Sequence, residues 1–310
     1  DQLKDDQVIV RPLYYSVDPY QRGRLSGVEG SYVASYTKGE PITNFVVGRV
    51  VASTSSSFNE NDLVLDNDGK WQSEYITDAK NVHHAPEKPG IDVHDYVGVL
   101  SMPSYTAHYG LNVIGKPKAG ETILVSSASG AVGQMVVQLA KAAGLRVAAF
   151  AGSDEKVELV KELGADVVFN YNTCGDFAKT IKELIPEGID IYYDNVGGPY
   201  LDAVLGHVND HARVIICGAI TQYNLSSPDE VYAFKNIIAI LVRKVRMEGF
   251  IILDLYDDPH YAKFVDEVSL LYREGKIKYK TCEAEGLENA PQKLLDLFSG
   301  KNVGKSIVKA

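Results

Sequence analysis

Short apolar runs alternate with helical periodicity through the middle of the chain, and the pattern is sharpest over residues 122–150. There Ile123-Leu124-Val125 is followed by small residues, a helical pattern, Gly144 and a second apolar run ending at Phe150. That order predicts strand, tight turn, helix and parallel strand, the βαβ unit of an open α/β sheet. The alternation continues. Residues 146–150 form the second strand; Ser153 caps a helix carrying Val157, Val160 and Leu163 that stops at Gly164. Val167-Val168-Phe169 reads as a third strand, with Phe177, Ile181 and Leu184 marking the next helix. Residues 189–193 and 213–217 are two more strands. A helix built on Val231, Phe234, Ile238 and Leu241 then leads to a last strand at 247–252. The sum is a doubly wound parallel sheet.

The flanks differ. Residues 1–100 read as β-rich, with strand candidates at 8–10, 45–52, 62–65 and 74–76 among Gly, Ser, Asn and Asp. Residues 105–114 suggest a helix leading into the central region. After it, a long helix carrying Phe264, Val265, Val268, Leu271 and Tyr272 closes at Gly275. The tail has no core of its own and is expected to rejoin the first region. The division is 1–100, 101–262, and 263–310 returning to the first. Tyr14, Tyr15, Tyr20, Tyr32 and Tyr36 cluster early; packing at a β-domain surface is favoured over a cleft wall for any one of them.

Composition narrows the function classes. A net charge of -10 argues against a nucleic-acid or anionic-membrane partner. No apolar run reaches the ~18 residues of a membrane-spanning helix. Cys174, Cys217 and Cys282 are too scattered for a disulfide framework or a zinc knuckle, and suggest reduced thiols in a cytoplasmic protein. His207 and His211 stand four apart but flank Val208 rather than a Glu, so solvated helix histidines are expected, and no metal. The chain opens at Asp1 rather than Met and reads as a fragment.

Chemistry enters at the turn of the βαβ unit, Ala128-Ser129-Gly130-Ala131-Val132-Gly133, an A-x-G-x-x-G variant of the dinucleotide fingerprint. Gly130 would let a pyrophosphate approach the backbone, Gly133 would let the helix pack on the strand, and the helix N-terminus would offer N–H groups to phosphates. Past the second strand, an acid would bind the adenine ribose of NAD, and a cation would accommodate the 2′-phosphate of NADP. Ala151-Gly152-Ser153 opens space there, with Ser153 and Lys156 placed to bind a phosphate. Asp154 is the competing acid but falls past the strand, inside the helix, so NADP is favoured.

With these residues in view, the chain resembles the zinc-independent medium-chain dehydrogenase/reductases, in the branch of leukotriene B4 12-hydroxydehydrogenase/prostaglandin reductase and the alkenal double-bond reductases. The resemblance rests on SVDPYQRG at 16–23, SASGAVG at 127–133, AGSDEKV at 151–157, FNY at 169–171 and DNVGG at 194–198. ICGAI-x-x-YN at 216–224 and NVGKSIVKA at 302–310 extend it over essentially the whole chain.

It implies a Rossmann domain inserted in a GroES-like β-barrel substrate domain, a homodimer, and further residues ahead of Asp1. The implied activity is NADPH-dependent reduction of the C=C bond of an enal or enone. Gly130, Ala131, Val132 and Gly133 would cradle the pyrophosphate. Lys156 and Tyr171 would hold the 2′-phosphate end, and Asn195 would touch the cofactor beyond the fourth strand. Cys217, Gly218, Ala219, Ile220 and Tyr223 would line the nicotinamide half with Phe250, Ile251 and Ile252, and Asn302 would reach in from the tail. Tyr223 is the implied catalytic residue, holding the ribose hydroxyl that stabilises the enolate; Cys217 is not expected to be a nucleophile. Where the family usually reads Met-Pro-Gly-Leu-Thr-Ala-Tyr, this chain has Met102-Pro103-Ser104-Tyr105-Thr106-Ala107-His108, and Gln21 replaces a usual Met. Tyr105, with Tyr32, is therefore a candidate for shaping the substrate pocket. A quinone reductase of the same superfamily and a non-catalytic NADPH-binding protein are the competing readings.

Overall fold

Strand pairing sorts the chain into two sheets. The computed structural model describes residues 3–27, 30–86 and 88–310. In chain order the first elements are β1 (Gln7–Ser16), α1 (Gln21–Arg24), β2 (Thr43–Ser53), β3 (Leu63–Lys70), β4 (Tyr75–Asp78), β5 (Val82–His84) and α2 (Met102–Tyr109). The central series is β6 (Thr122–Val125), α3 (Ala131–Ala142), β7 (Arg146–Ala151), α4 (Asp154–Glu162), β8 (Val167–Asn170), α5 (Phe177–Leu184), β9 (Ile189–Asp194), α6 (Gly198–Leu205) and β10 (Val208–Ile216). Then come α7 (Ala239–Val242), β11 (Arg246–Gly249), α8 (Pro259–Arg273), β12 (Thr281–Glu285), α9 (Ala290–Phe298) and β13 (Lys305–Lys309). Two units result: Asp1–Ser101 with Val268–Lys276 and Lys280–Ala310, and Met102–Glu267 with Ile277–Tyr279.

The first unit is a mixed sheet in the order β12-β13-β1-β2-β3-β5, with β4 paired to β1. β13 runs antiparallel to β1, with Tyr15 opposite Val308, and parallel to β12. Its two apolar clusters form around Val8, Val10, Val50 and Val64, and around Tyr15, Val17, Ala290, Leu294 and Val308. Beside them lies a buried polar network. The Lys305 ammonium, 1% exposed, donates to Asp18 Oδ1 at 2.9 Å and to the carbonyls of Val17 and Ser306. Asp18 Oδ2 accepts from Ser16 Oγ and Asn44 Nδ2, and Gln21 Oε1 accepts from Asp18 N and Asn44 Nδ2. Most of the SVDPYQRG segment is thus a structural staple between the first strand and the last. Burial pushes the Lys305 pKa down, against the pull of Asp18.

The second unit is a parallel sheet in the order β11-β10-β9-β6-β7-β8, whose central strands are buried on both faces. Such strands read as continuous apolar runs, which is why Ile123-Leu124-Val125 and the second run were conspicuous. The chain moves outward from β6 through β7 and β8, then returns to place β9, β10 and β11 on the other side. The order reverses between β6 and β9, and the carboxyl ends of those strands bound the crevice where open α/β sheets bind ligands. Gln138 on α3 pairs reciprocally with the Lys278 backbone at 2.7 and 2.8 Å, and Tyr279 donates its hydroxyl to the Ala131 carbonyl at 3.0 Å. Residues 277–279 are thereby sealed onto the helix that follows the glycine turn.

Four expectations need correction. The last strand stops at Gly249, and residues 252–255 turn as a short 3-10 helix. The pattern of Val231, Phe234, Ile238 and Leu241 does not form one core-facing helix; only Ala239–Val242 is α-helical, and these four side chains are 38% to 74% exposed. Asp202, buried on α6, is the reason. Its carboxylate takes the N–H groups of Lys235 and Asn236 at 2.9 and 2.8 Å and the Tyr232 hydroxyl at 2.9 Å, drawing them out of a helical ladder. His207 and His211 are not on a helix: His207 precedes β10 and bonds Ile185 O, while His211 lies within β10 at φ 63°. The helix expected at 105–114 begins at Met102, ends at Tyr109 and continues as a π-helical turn to Gly115.

Lys305→Met is expected to lower the stability of the first unit by about 3–5 kcal/mol in urea denaturation, because it strands the buried Asp18 carboxylate. Adding Asp18→Asn should return part of that loss; a Lys305→Met variant as stable as the parent would show the pair to be energetically idle.

Candidate dinucleotide site

The glycine turn sets the first half of the site. After β6 the chain passes through Ser127, held in the left-handed region at φ 48°, and enters α3 at Gly130. A Cβ on Gly133 would lie 2.4 Å from Ser127 O and 2.6 Å from Ala128 Cα, so only glycine permits this approach of helix to strand. Gly130, the N-cap, brings no side chain to occupy the first-turn N–H groups. They, together with the positive end of the helix dipole, form a cradle for an anion. Gly130, Ala131, Val132 and Gly133 are thus on one turn, as the spacing requires.

The second half lies past β7. Ser153 caps α4, its Oγ accepting from Lys156 N at 3.3 Å. The Lys156 side chain is largely buried on the first turn of that helix. Tyr171 follows β8 and packs edge-on against Tyr200 and Phe150 at 5.3 and 6.0 Å. A Cβ on Gly152 would lie 2.8 Å from the Tyr171 hydroxyl. Asp154 is the first residue of α4 and accepts from Asn170 Nδ2 at 2.8 Å.

At the reversal of strand order, Asn195 donates from its backbone N to Ser126 Oγ at 2.7 Å and from Nδ2 to Ser126 O at 2.9 Å. The exits of β6 and β9 are therefore tied directly. Asp194 is fully buried: Oδ1 accepts from the Tyr192 hydroxyl and from Val196 N and Gly197 N at 2.9 to 3.0 Å. Its carbonyl accepts from Cys217 N and Gly218 N, lacing β10 to β9. Burial raises the Asp194 carboxyl pKa against these donors.

Ala219, Ile220 and Tyr223 complete this wall. Ala219 N donates to the Tyr223 hydroxyl at 3.3 Å, which folds the ring back over Gly218. Burial raises the Tyr223 phenol above its ordinary value. Burial also pushes the Cys217 thiol up to about 12, leaving it protonated near neutrality and a poor nucleophile.

Phe250, Ile251 and Ile252 lie where the polypeptide leaves β11, with Phe250 stacked 5.8 Å from Tyr109. Tyr105 has no exposed surface; its ring sits among Tyr109, Tyr256, Tyr261 and Phe264, and its hydroxyl donates to Leu255 O at 2.9 Å. That bond anchors the segment that follows β11. Tyr32 and Asn302 belong to the other unit: Tyr32 is exposed, and Asn302 Nδ2 bonds Gly304 O at 3.0 Å.

The turn at 130–133, the pair at 152–156, Tyr171, Asn195 and the 217–223 wall all stand at carboxyl ends of one parallel sheet. Ser126, Asp194 and Asn170, which tie the strand exits together, were not singled out by the sequence. Asp194 and Asn170 sit in quoted motifs, DNVGG and FNY, but only the fold reveals their partners. The residues present fit a dinucleotide: the Gly133 approach leaves a backbone cradle that a side chain would destroy. Among the described residues no group of three His, Cys, Asp or Glu is arranged to hold a metal ion.

Comparisons agree with this architecture. Residues 131–269 match the family model described as zinc-binding dehydrogenase, and residues 1–85 the one described as N-terminal domain of oxidoreductase. The chain is 42% identical to a 2-alkenal reductase (NADP(+)-dependent) of Nicotiana tabacum, covering 98% of this chain and 87% of that protein. It is 36% identical to prostaglandin reductase 1 of Rattus norvegicus, covering 99% and 91%. The crystal structure of CurA in complex with NADPH from Vibrio vulnificus matches at a TM-score of 0.92 and 36% identity, covering 99% of this chain and 90% of that one. The fold and site define a dinucleotide-dependent oxidoreductase of α/β type. The chain belongs to the medium-chain dehydrogenase/reductase family, in the branch that holds the alkenal and prostaglandin reductases.

Lys156→Ala is expected to weaken NADPH binding by about 1–3 kcal/mol, the scale of a charge-assisted phosphate contact, with little effect on NADH. Titration with both nucleotides checks this, and equal losses for the two would refute a phosphate role.

Proposed function

We propose that this protein reduces the C=C bond of α,β-unsaturated aldehydes and ketones with NADPH. The observation that carries the reading is the glycine cradle at 130–133 in line with Gly152, Lys156 and Tyr171, on a chain 42% identical over 304 residues to a 2-alkenal reductase. When bound, NADPH supplies hydride to the β-carbon of the substrate. The chain's part is to hold the pyrophosphate on α3, hold the adenosine phosphate at Lys156 and Tyr171, and exclude water from the nicotinamide end. A tyrosine phenol ordinarily keeps its hydrogen near neutral pH, and burial raises the Tyr223 pKa further. Its oxygen accepts from Ala219 N, so the hydrogen serves to orient the ribose hydroxyl that meets the enolate oxygen. In this reading Tyr223 positions a donor and does not itself change protonation state.

The second unit is the NADP-binding domain and the first is the substrate domain, completed by residues returning after the cofactor fold. The protein works in the cytoplasm, a placement supported by three cysteines that are all unpaired. The net charge of -10 supports a small-molecule partner over nucleic acid or an anionic lipid surface. It is a homodimer, supported by the open edge strand β11 and by the exposed side chains of Ile237, Ile238, Leu241 and Val242 beside it in sequence. Leu241, 74% exposed, is the test position: Leu241→Glu is expected to shift the mass measured by light scattering from dimer to monomer. A variant that remains dimeric would place the interface elsewhere.

The decisive assay follows NADPH consumption with a 2-alkenal, an enone and a quinone, each repeated with NADH, with mass spectrometry of the product. A saturated carbonyl formed with NADPH supports the proposal. Turnover of quinones alone would make the protein a quinone reductase, and tight NADPH binding with no turnover a binding protein. In the same assay Tyr223→Phe is expected to lower kcat about 100- to 1,000-fold, the range of one lost oxyanion donor, with little change in NADPH affinity. Loss of affinity alone would show that Tyr223 only holds the cofactor.

A further inference from the structure

Three consecutive residues at the exit of β8 grip the exit of β7. Asn170 Nδ2 donates to Asp154 Oδ1 at 2.8 Å, and Tyr171 brings its hydroxyl over Gly152. Asn172 Nδ2 donates to the Gly152 carbonyl at 2.8 Å, and Tyr171 N donates to Ala151 O at 3.1 Å. The Asn170 amide is fully specified, because its Oδ1 accepts from Asn172 N at 3.0 Å while its Nδ2 holds the carboxylate. Rotating the amide would break both bonds.

The consequence lies in the direction of the pull. In the order β9-β6-β7-β8, strand β8 flanks β7 on the side away from β6. The glycine turn and α3 follow β6. Asp154, the first residue of α4, is the acid that competes for a ribose at the end of β7, and Asn170 draws its carboxylate toward β8.

We infer that Asn170 is a specificity-determining positioning residue: by holding the Asp154 carboxylate aside, it lets a site that carries an acid accept a 2′-phosphorylated ribose. Asn170 touches the Asp154 carboxylate and the Asn172 backbone. The inference rests on the cofactor reading proposed above and adds to it the reason that Asp154 does not oppose it. A carboxylate released from Asn170 can swing back toward the ribose. There it repels a 2′-phosphate and accepts hydrogen bonds from a free 2′-hydroxyl, so the two cofactors respond with opposite sign.

The test is calorimetric titration of the full chain with 2′,5′-ADP and 5′-AMP, which carry the adenosine end with and without the phosphate. Asn170→Ala is expected to lower the preference for 2′,5′-ADP by about fivefold, the scale of one exposed charge interaction. In an Asp154→Asn background the same substitution should change the preference by no more than roughly twofold, the ordinary error of additivity. If Asn170→Ala leaves the preference intact, or lowers it equally in both backgrounds, the inference is overturned. Should Asn170→Ala lower the melting temperature, Asn170→Asp is read instead, since it keeps the acceptor for Asn172 N but repels Asp154. Its preference must then fall, and an unchanged one overturns the inference. A parent protein with no preference for 2′,5′-ADP would overturn the NADP reading itself, a result separable from any behaviour of Asn170.

Discussion

The approach of α3 to the end of β6 at Gly133 is the constraint on which the cofactor half of the molecule depends. Backbone meets backbone there with no room for a methyl group. That proximity forces Ser127 into the left-handed region, turns the helix N-terminus toward the crevice and fixes the direction in which α3 crosses the sheet. The cost is local strain at one non-glycine residue, of the kind that persists at functional sites when the surroundings over-determine it. Those surroundings include Gln138 and Tyr279, which clamp the far segment 277–279 onto the same helix.

Around this turn, buried carboxylates organise the loops at strand exits. Asp194 gathers Tyr192, Val196 and Gly197, and through its carbonyl the start of the Cys217 wall. Asp202 does the same for Tyr232, Lys235 and Asn236. Both Asp202 oxygens take directed donors in place of water, whereas Asp194 gathers its donors on Oδ1 and leaves Oδ2 buried without a partner. Hydrogen bonds of this kind hold the loop backbone at the strand exits without regular secondary structure.

The central architecture was legible because parallel strands buried on both faces leave uninterrupted apolar runs, and because Ser153 and Gly164 mark helix ends by local chemistry that needs no tertiary partner. The glycine turn was legible for the same reason. What escaped was whatever depends on a partner distant in sequence. The spacing of Val231, Phe234, Ile238 and Leu241 satisfies a helical template, yet Asp202, some thirty residues upstream, redirects the backbone N–H groups that a helix would need. Tyr105 looked like a bulky intruder near a pocket. It is the centre of an aromatic cluster assembled from residues 109, 256, 261 and 264. Asp154 could be ranked as a competing acid, but Asn170, its partner, belongs to another strand.

The Lys305–Asp18 staple has a consequence for how the chain comes to be folded during synthesis. The pair joins residues 287 positions apart, and β13, which carries Lys305, completes the sheet beside β1. The parallel sheet, by contrast, is finished once β11 has been made. As the chain leaves the ribosome, the nucleotide-binding unit can assemble most of its core while the early strands wait with a buried-type aspartate still in water and their β13-facing edge open. Closing so long a loop last is entropically costly and slow, and an open edge in the interval is the feature that chaperones and aggregation both recognise. The segment that looks least structured in the sequence, the final short strand, is therefore the one whose arrival ends the vulnerable period.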